Sequence, residues 1–213
     1  MADRTDDFNR TDTATALGTP SDGGGAWAAT AAPSIWGIHS NAAYLVADAG
    51  DQQNHAWLET SVTEGTTQVT LSQRGAAIDG GILVRLADNS NFLMFQFDLL
   101  NTRYYKRVAG TFTQLGSAGS GGIATNDVAS VVVSGNVITG KINGVTQGSP
   151  PTESTGSGNT KVGMRLYGPI SGTGTSAAKF DNFSFVAPST TLPSHYYPGL
   201  SQPLARTIEV IPY

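Results

Sequence analysis

The fold is decided by GILVRLADNSNFLMFQFDLLNTRYYKRVAGTFTQLG, residues 81–116. Apolar residues alternate with others at period two, and the polar clusters Asp-Asn-Ser, Leu-Asn-Thr and Ala-Gly interrupt them. Successive side chains of a strand point to opposite faces. The pattern therefore predicts strands over 82–86, 91–98, 102–108 and 111–115, joined as a meander of hairpins. Within 91–98, Leu93, Phe95 and Phe97 share one face and read as core. Phe92, Met94, Gln96 and Asp98 share the other, and half of them are apolar. That second face is expected to be covered or to form a groove. Within 102–108, Arg103, Tyr105 and Arg107 fall on one side, and Tyr104, Lys106 and Val108 on the other.

The same reading extends outward. WGIHSNAAYLV (36–46) is a hairpin turning near Ser40-Asn41. HAWLETSV (55–62) sets Ala56, Leu58, Thr60 and Val62 against Trp57, Glu59 and Ser61, and QVTLSQ (68–73) pairs Val69 with Leu71 on one face. In ASVVVSGNVITGKINGVTQG (129–148), Ser-Gly-Asn joins one strand pair, and Asn143-Gly144 is the dipeptide favoured in type I′ hairpin turns. TKVGMRLYG (160–168) turns Val162, Met164 and Leu166 inward. In AAKFDNFSFVAP (177–188), strict alternation sets Phe180 against Phe183 and Phe185. A bulge at Asp181-Asn182 would return all three rings to one side, and it is predicted there. Residues 1–34 read as a polar lead-in containing a short first strand at DDF (6–8). Trp27 and Trp36 are expected to cap the core. Many short strands and no helix pattern imply a sandwich or barrel, in one domain spanning 1–187.

Composition narrows the function classes. Of 213 residues, 13% are charged and 39% hydrophobic, which fits neither a solvated disordered chain nor a membrane protein. No apolar run is long enough to span a bilayer. A formal net charge of -4 argues against nucleic acid as a partner. There is no cysteine, so disulfides and thiolate metal sites are excluded. The opening MADRTDDFNRTD is polar and acidic, unlike a secretory signal, so the protein is expected to stay in the cell that makes it or to leave by lysis.

After residue 187 the alternation stops. APSTTLPSHYYPGLSQPLARTIEVIPY (187–213) is punctuated by prolines, which cannot donate to a ladder. It nevertheless carries Tyr196, Tyr197, Leu200, Leu204, Ile208, Val210, Ile211 and Tyr213. These side chains are expected to form an interface arm, 188–213, lying across its own domain or on a neighbouring subunit. The alternation over 207–211 suits addition of a strand to another sheet edge.

Taken together, DDFNR, WGI…NAAYLV, GILVRLADNSNFLMFQF, VVVSGNVITGKINGV and KFDNFSF resemble the concanavalin A-like, laminin-G-like jelly roll over roughly residues 6–186. The variant is similar to domains of minor tail and head-decoration proteins of tailed bacteriophages. The resemblance implies an all-β, two-sheet antiparallel jelly-roll sandwich with its first and last strands side by side. It also implies a non-enzymatic virion structural protein, assembled in the host cytoplasm. Its partners would be major capsid or tail proteins and copies of itself.

Candidate chemistry is sparse. A glycosidase needs two carboxylates facing each other across a sugar. The glutamates are Glu59, Glu64, Glu153 and Glu209, and none has a carboxylate two positions away. Hydrolysis is therefore not expected. His39, His55 and His195 are scattered and show no zinc spacing. No nucleophile elbow or P-loop occurs, and no cofactor is implied. A structural calcium has candidate ligands in Asp7, Asp48, Asp51 and Asp181. The alternative function is carbohydrate binding, for which aromatic platforms are available in Trp57, Tyr104, Tyr105 and Tyr167. Arg85, Gln96, Arg103, Arg165 and Asp98 stand as polar partners, with Arg85, Gln96 and Arg103 or Lys106 lining one groove. The competing reading of the same residues is a polar outer face braced by cross-strand aromatic pairs.

Overall fold

The computed structural model describes residues 3–30, 35–47, 54–75, 78–167 and 178–189. In chain order the strands are β1 (Arg4–Asp6), β2 (Ala28–Ala29), β3 (Ile35–Ile38), β4 (Ala43–Ala47), β5 (His55–Glu59), β6 (Gly65–Gln73), β7 (Asp79–Asp88), β8 (Asn91–Asp98), β9 (Asn101–Val108), β10 (Thr111–Ser120), β11 (Val128–Ser134), β12 (Val137–Ile142), β13 (Val145–Thr146), β14 (Lys161–Leu166) and β15 (Lys179–Val186). Among the described residues there is no helix, and so none long and apolar enough to cross a membrane.

The strands form two antiparallel sheets. One has eight strands in the order β13-β12-β11-β6-β15-β4-β3, with β1 also paired to β15. The other has seven, in the order β10-β9-β8-β7-β14-β5-β2. The predicted meander is the run β7 to β10 at one side of the second sheet. The first and last strands lie side by side, with Arg4 opposite Phe185 and Asp6 opposite Phe183.

The core lies between the sheets, where alternate residues of both meet. Leu93, Phe95 and Phe97 of β8 are buried there, with Val69 and Leu71 of β6 and Val162, Met164 and Leu166 of β14. Phe97 meets Phe180 of the opposite sheet edge-on, with centroids 6.1 Å apart. Burying each such side chain contributes roughly 1.5–3 kcal/mol. The bulge in β15 falls where the alternation required it. The register shifts between Asp181 and Ser184, Asn182 takes φ 50°, and Phe180, Phe183 and Phe185 are all at most 2% exposed. Asn143 and Gly144 both have positive φ, as a type I′ turn demands.

The lead-in differs from its polar reading, because Phe8, Leu17 and Trp27 belong to the core together with Trp36. The first strand ends at Asp6 instead of running to Phe8. Asp6 explains the change. Its carboxylate accepts from the Phe8 amide at 2.9 Å, from both terminal nitrogens of Arg10 at 2.7 Å, and from Trp27 Nε1 at 2.6 Å. The backbone therefore turns at Phe8, where φ is 50°, and a buried carboxylate with all these donors offsets its own desolvation.

Candidate functional site

The outward face of the seven-stranded sheet is half apolar, as the β8 alternation required. Leu83 and Leu86 of β7 and Phe92 and Met94 of β8 form a second buried cluster there. Partly buried Trp57, Tyr105 and Phe112 pack against it. Phe112 meets Phe92 and Tyr105 edge-on at 5.9 and 6.0 Å, and the Arg107 guanidinium lies 4.9 Å over the Phe112 ring. His55 is buried beneath, edge-on to Phe92 at 4.8 Å. This face is covered over part of its length and open over the rest.

The open part is a recess of about 290 Å³ lined by Asp79, Met94, Gln96, Tyr105, Phe112 and Arg165. A glycine makes room for it. Gly81 stands opposite Gln96 on one side and Arg165 on the other, and a Cβ there would sit 2.9 Å from the Met94 side chain. Any larger residue at this position would fill the space between its two polar neighbours. Asp79 Oδ1 accepts from Gln96 Nε2 at 2.8 Å and from Arg165 Nη1 at 3.0 Å. Arg165 is 2% exposed and also lies 5.0 Å over the Tyr167 ring. Beyond the recess, Arg103 binds Asp98 at 2.7 Å, directly across from Gln96 in the β8–β9 ladder. Burial pushes the Asp98 carboxyl up, but donors from Leu100, Arg103 and Asn101 outweigh it and hold the group below its ordinary value.

Of the candidates read from the sequence, the structure thus brings Gln96, Arg103, Tyr105 and Arg165 to one face. Trp57 lies on that face beyond Leu83, and Tyr167 reaches the site through the Arg165 guanidinium over its ring and through its amide, which donates to the Asp79 carbonyl at 2.9 Å.

Tyr104 is not a platform. It is 2% exposed, its hydroxyl accepts from the Gly140 amide at 2.9 Å and donates to the Gln147 carbonyl at 2.7 Å, and it ties β9 to the opposite sheet. Alternation places it on the side opposite Tyr105, which is where it lies. What the pattern could not show is that this side is the interior.

Arg85 does not line the groove either. A register shift follows Val84, Arg85 takes φ 52°, and its guanidinium reaches the carbonyls of Glu153, at 2.7 Å, and Gly135. The irregularity also moves Leu86 to the outward cluster, which strict period two would have denied. Lys106 points away from the groove as well and binds Glu153 at 2.9 Å. The Glu153 carboxyl is held down to about 2, first by the Thr155 hydroxyl, against the cost of burial, and then by Lys106.

Asp79 and Phe112 escaped the sequence reading. Asp79 precedes Gly80-Gly81, a pair that reads as a turn but lies inside β7. Counting back from Leu83 by twos would have found it.

Asp7 and Asp181 come close enough for their charges to oppose each other. Burial first, and then Asp7 and Asp6, raise the Asp181 carboxyl. Among the described residues no group of three His, Asp or Glu side chains is placed to hold a metal ion. Asp48 and Asp51, and the arm residues Tyr196, Tyr197, Leu200, Leu204, Ile208, Val210, Ile211 and Tyr213, lie outside the described residues.

No protein-family model and no curated protein sequence matches the chain. Solved structures do. The carbohydrate-binding module CBM66 from Bacillus subtilis is similar over 75% of this chain and 95% of its own, with a TM-score of 0.56 at 12% identity. A β-glucanase from Bacillus licheniformis is similar over 88% and 99%, with a TM-score of 0.55 at 10% identity. The fold is the concanavalin A-like jelly roll. The GH43 protein BlXynB from Bacillus licheniformis adds a TM-score of 0.61 at 18% identity over 87% of this chain, which spans only 39% of that longer protein.

Proposed function

We propose that the protein binds carbohydrate, without turning it over, on the outward face of the seven-stranded sheet. The observation that carries this is the recess at Gly81, where Asp79, Gln96 and Arg165 meet the side of Tyr105 and Phe112. A sugar ring offers hydroxyls at its rim and C–H groups on its faces, so it needs fixed polar groups beside an aromatic side chain. The volume, about 290 Å³, lies near the lower end of ligand sites. It suits one ring or a chain end. The similar solved structures named as a carbohydrate-binding module and a β-glucanase support the reading as analogies of fold.

Hydrolysis would need a carboxyl poised to give up a proton. Asp79 and Asp98 stand opposite each other in the β7–β8 ladder on this face. A general acid requires a raised pKa, and Asp98 is lowered instead. Its two oxygens are occupied by two backbone amides and Arg103. The virion role rests on the sequence resemblance alone, and the proposed binding does not depend on it.

The test is retention of the full chain on a panel of immobilised polysaccharides, with Tyr105→Ala and Asp79→Ala beside it. Retention by at least one glycan, weakened about tenfold or more in each variant while each remains folded, is the expected result, with some loss of stability in Asp79→Ala because Arg165 loses its carboxylate partner. Retention by none would sink the reading. Release of sugar during incubation would overturn its non-enzymatic part.

A further inference from the structure

We propose that the recess selects uncharged glycans and rejects carboxylated or sulfated ones. This rests on the carbohydrate-binding reading and narrows it to a ligand class.

The ion pair at the recess is oriented. The Arg165 side chain is 2% exposed and that of Asp79 30%, so the guanidinium lies inside and the carboxylate meets the solvent. Asp79 Oδ1 takes both donors, from Gln96 and from Arg165. Oδ2 remains an acceptor at the rim. The hydrogen bond to Asp79 also fixes the Gln96 amide, because turning it over would set its oxygen against a carboxylate. Gln96 Oε1 is consequently held away from Asp79, buried and with no donor of its own. The exposed carboxylate oxygen gives the rim of the recess acceptor character. Sugar hydroxyls supply donors to such a site. An acidic glycan brings further oxygens and a like charge.

The neighbouring cations do not reverse this. Arg103 is paired with Asp98 at 2.7 Å. Arg107 donates to the carbonyls of Gly110 and Asn89 at 3.1 and 2.9 Å and lies over Phe112. Arg85 is turned to the loops of the opposite sheet. Among the described residues, the guanidiniums on this face, Arg103, Arg107 and Arg165, are each already engaged by protein acceptors, which opposes the two-pronged grip that carboxylate or sulfate recognition uses.

The experiment compares the full chain on neutral polysaccharides (β-glucan, xylan, galactan, fructan) with polygalacturonate, alginate and heparin at low ionic strength, where surface charge acts most strongly. Binding to at least one neutral glycan, with every acidic one weaker by about tenfold or more, is expected. Equal or tighter binding to an acidic glycan overturns the selectivity and leaves carbohydrate binding standing. Binding to nothing overturns both. Asp79→Asn supplies a second measurement, because it removes the exposed charge while Arg165 stays in place. The gap between neutral and acidic glycans should narrow in this variant. An unchanged gap in a folded Asp79→Asn protein would also count against the assignment.

Discussion

Tyr104 and Tyr105 are adjacent in the chain and opposite in role. Tyr105 stands at the recess, while Tyr104 spans the sandwich and closes two backbone groups of the opposite sheet. Burial raises the Tyr104 hydroxyl above its ordinary value, with the Gly140 hydrogen bond acting against it. Tyr104→Phe keeps the ring against Phe95 but leaves the Gly140 amide and the Gln147 carbonyl without their partner. We expect a loss of about 1–3 kcal/mol in urea unfolding with glycan binding unchanged. A loss of binding at full stability would show that Tyr104 had been placed on the wrong side. The sequence could divide these two residues between faces, since parity alone does that. It could not name the wet face, because Tyr is at home on both sides of a sheet and the interior of this sandwich accepts a hydroxyl when backbone groups answer it.

At the scale of the element, β7 and β15 show where period two is enough and where it fails. β15 announces its bulge, because three phenylalanines that must be buried fall on alternating faces unless one residue is set aside. Asn182 is that residue, at φ 50°. Asn and Gly tolerate this conformation and β-branched residues do not. Asn182→Gly should therefore leave the melting midpoint nearly unchanged, while Asn182→Val should cost about 1–2 kcal/mol. Equal effects would mean that the bulge is held by its neighbours and not by the residue. The irregularity of β7 at Arg85 gave no such warning. Leu, Val, Arg and Leu satisfy either parity, so nothing in 82–86 conflicts with straight alternation. The groove was legible from β8 alone, but its rim was not. Asp79 hides behind two glycines, and Arg85 and Lys106, which alternation sets beside the groove, tie loops of the other sheet instead.

For the whole molecule, the two sheets and the pairing of first and last strands follow the sequence reading closely. The lead-in does not, because scattered single residues such as Phe8, Leu17 and Trp27 carry no period and yet complete the core. The arm remains a proposal about assembly. Among the described residues the last strand ends at Val186, and the Ala187 amide is closed by Asp3 Oδ1 at 2.8 Å. A chain ending at Ser189 should thus fold with the glycan binding of the full chain. If the arm joins subunits, light scattering should find a defined oligomer for the full chain and a monomer for the shortened one. Equal monomer masses would remove self-assembly from its role.

The pairing of β1 with β15 has a mechanical side. The strands are antiparallel, with Arg4 beside Phe185, so both ends of the domain leave from one corner of the sandwich. A pull applied through the two ends loads the hydrogen bonds of this pair one after another, like a zipper, and never all at once in shear. Threaded between two anchors, the domain would yield at low force from that corner inward. Inserted as a loop of a larger polypeptide, it would enter and leave through the same doorway and leave its host's path undisturbed.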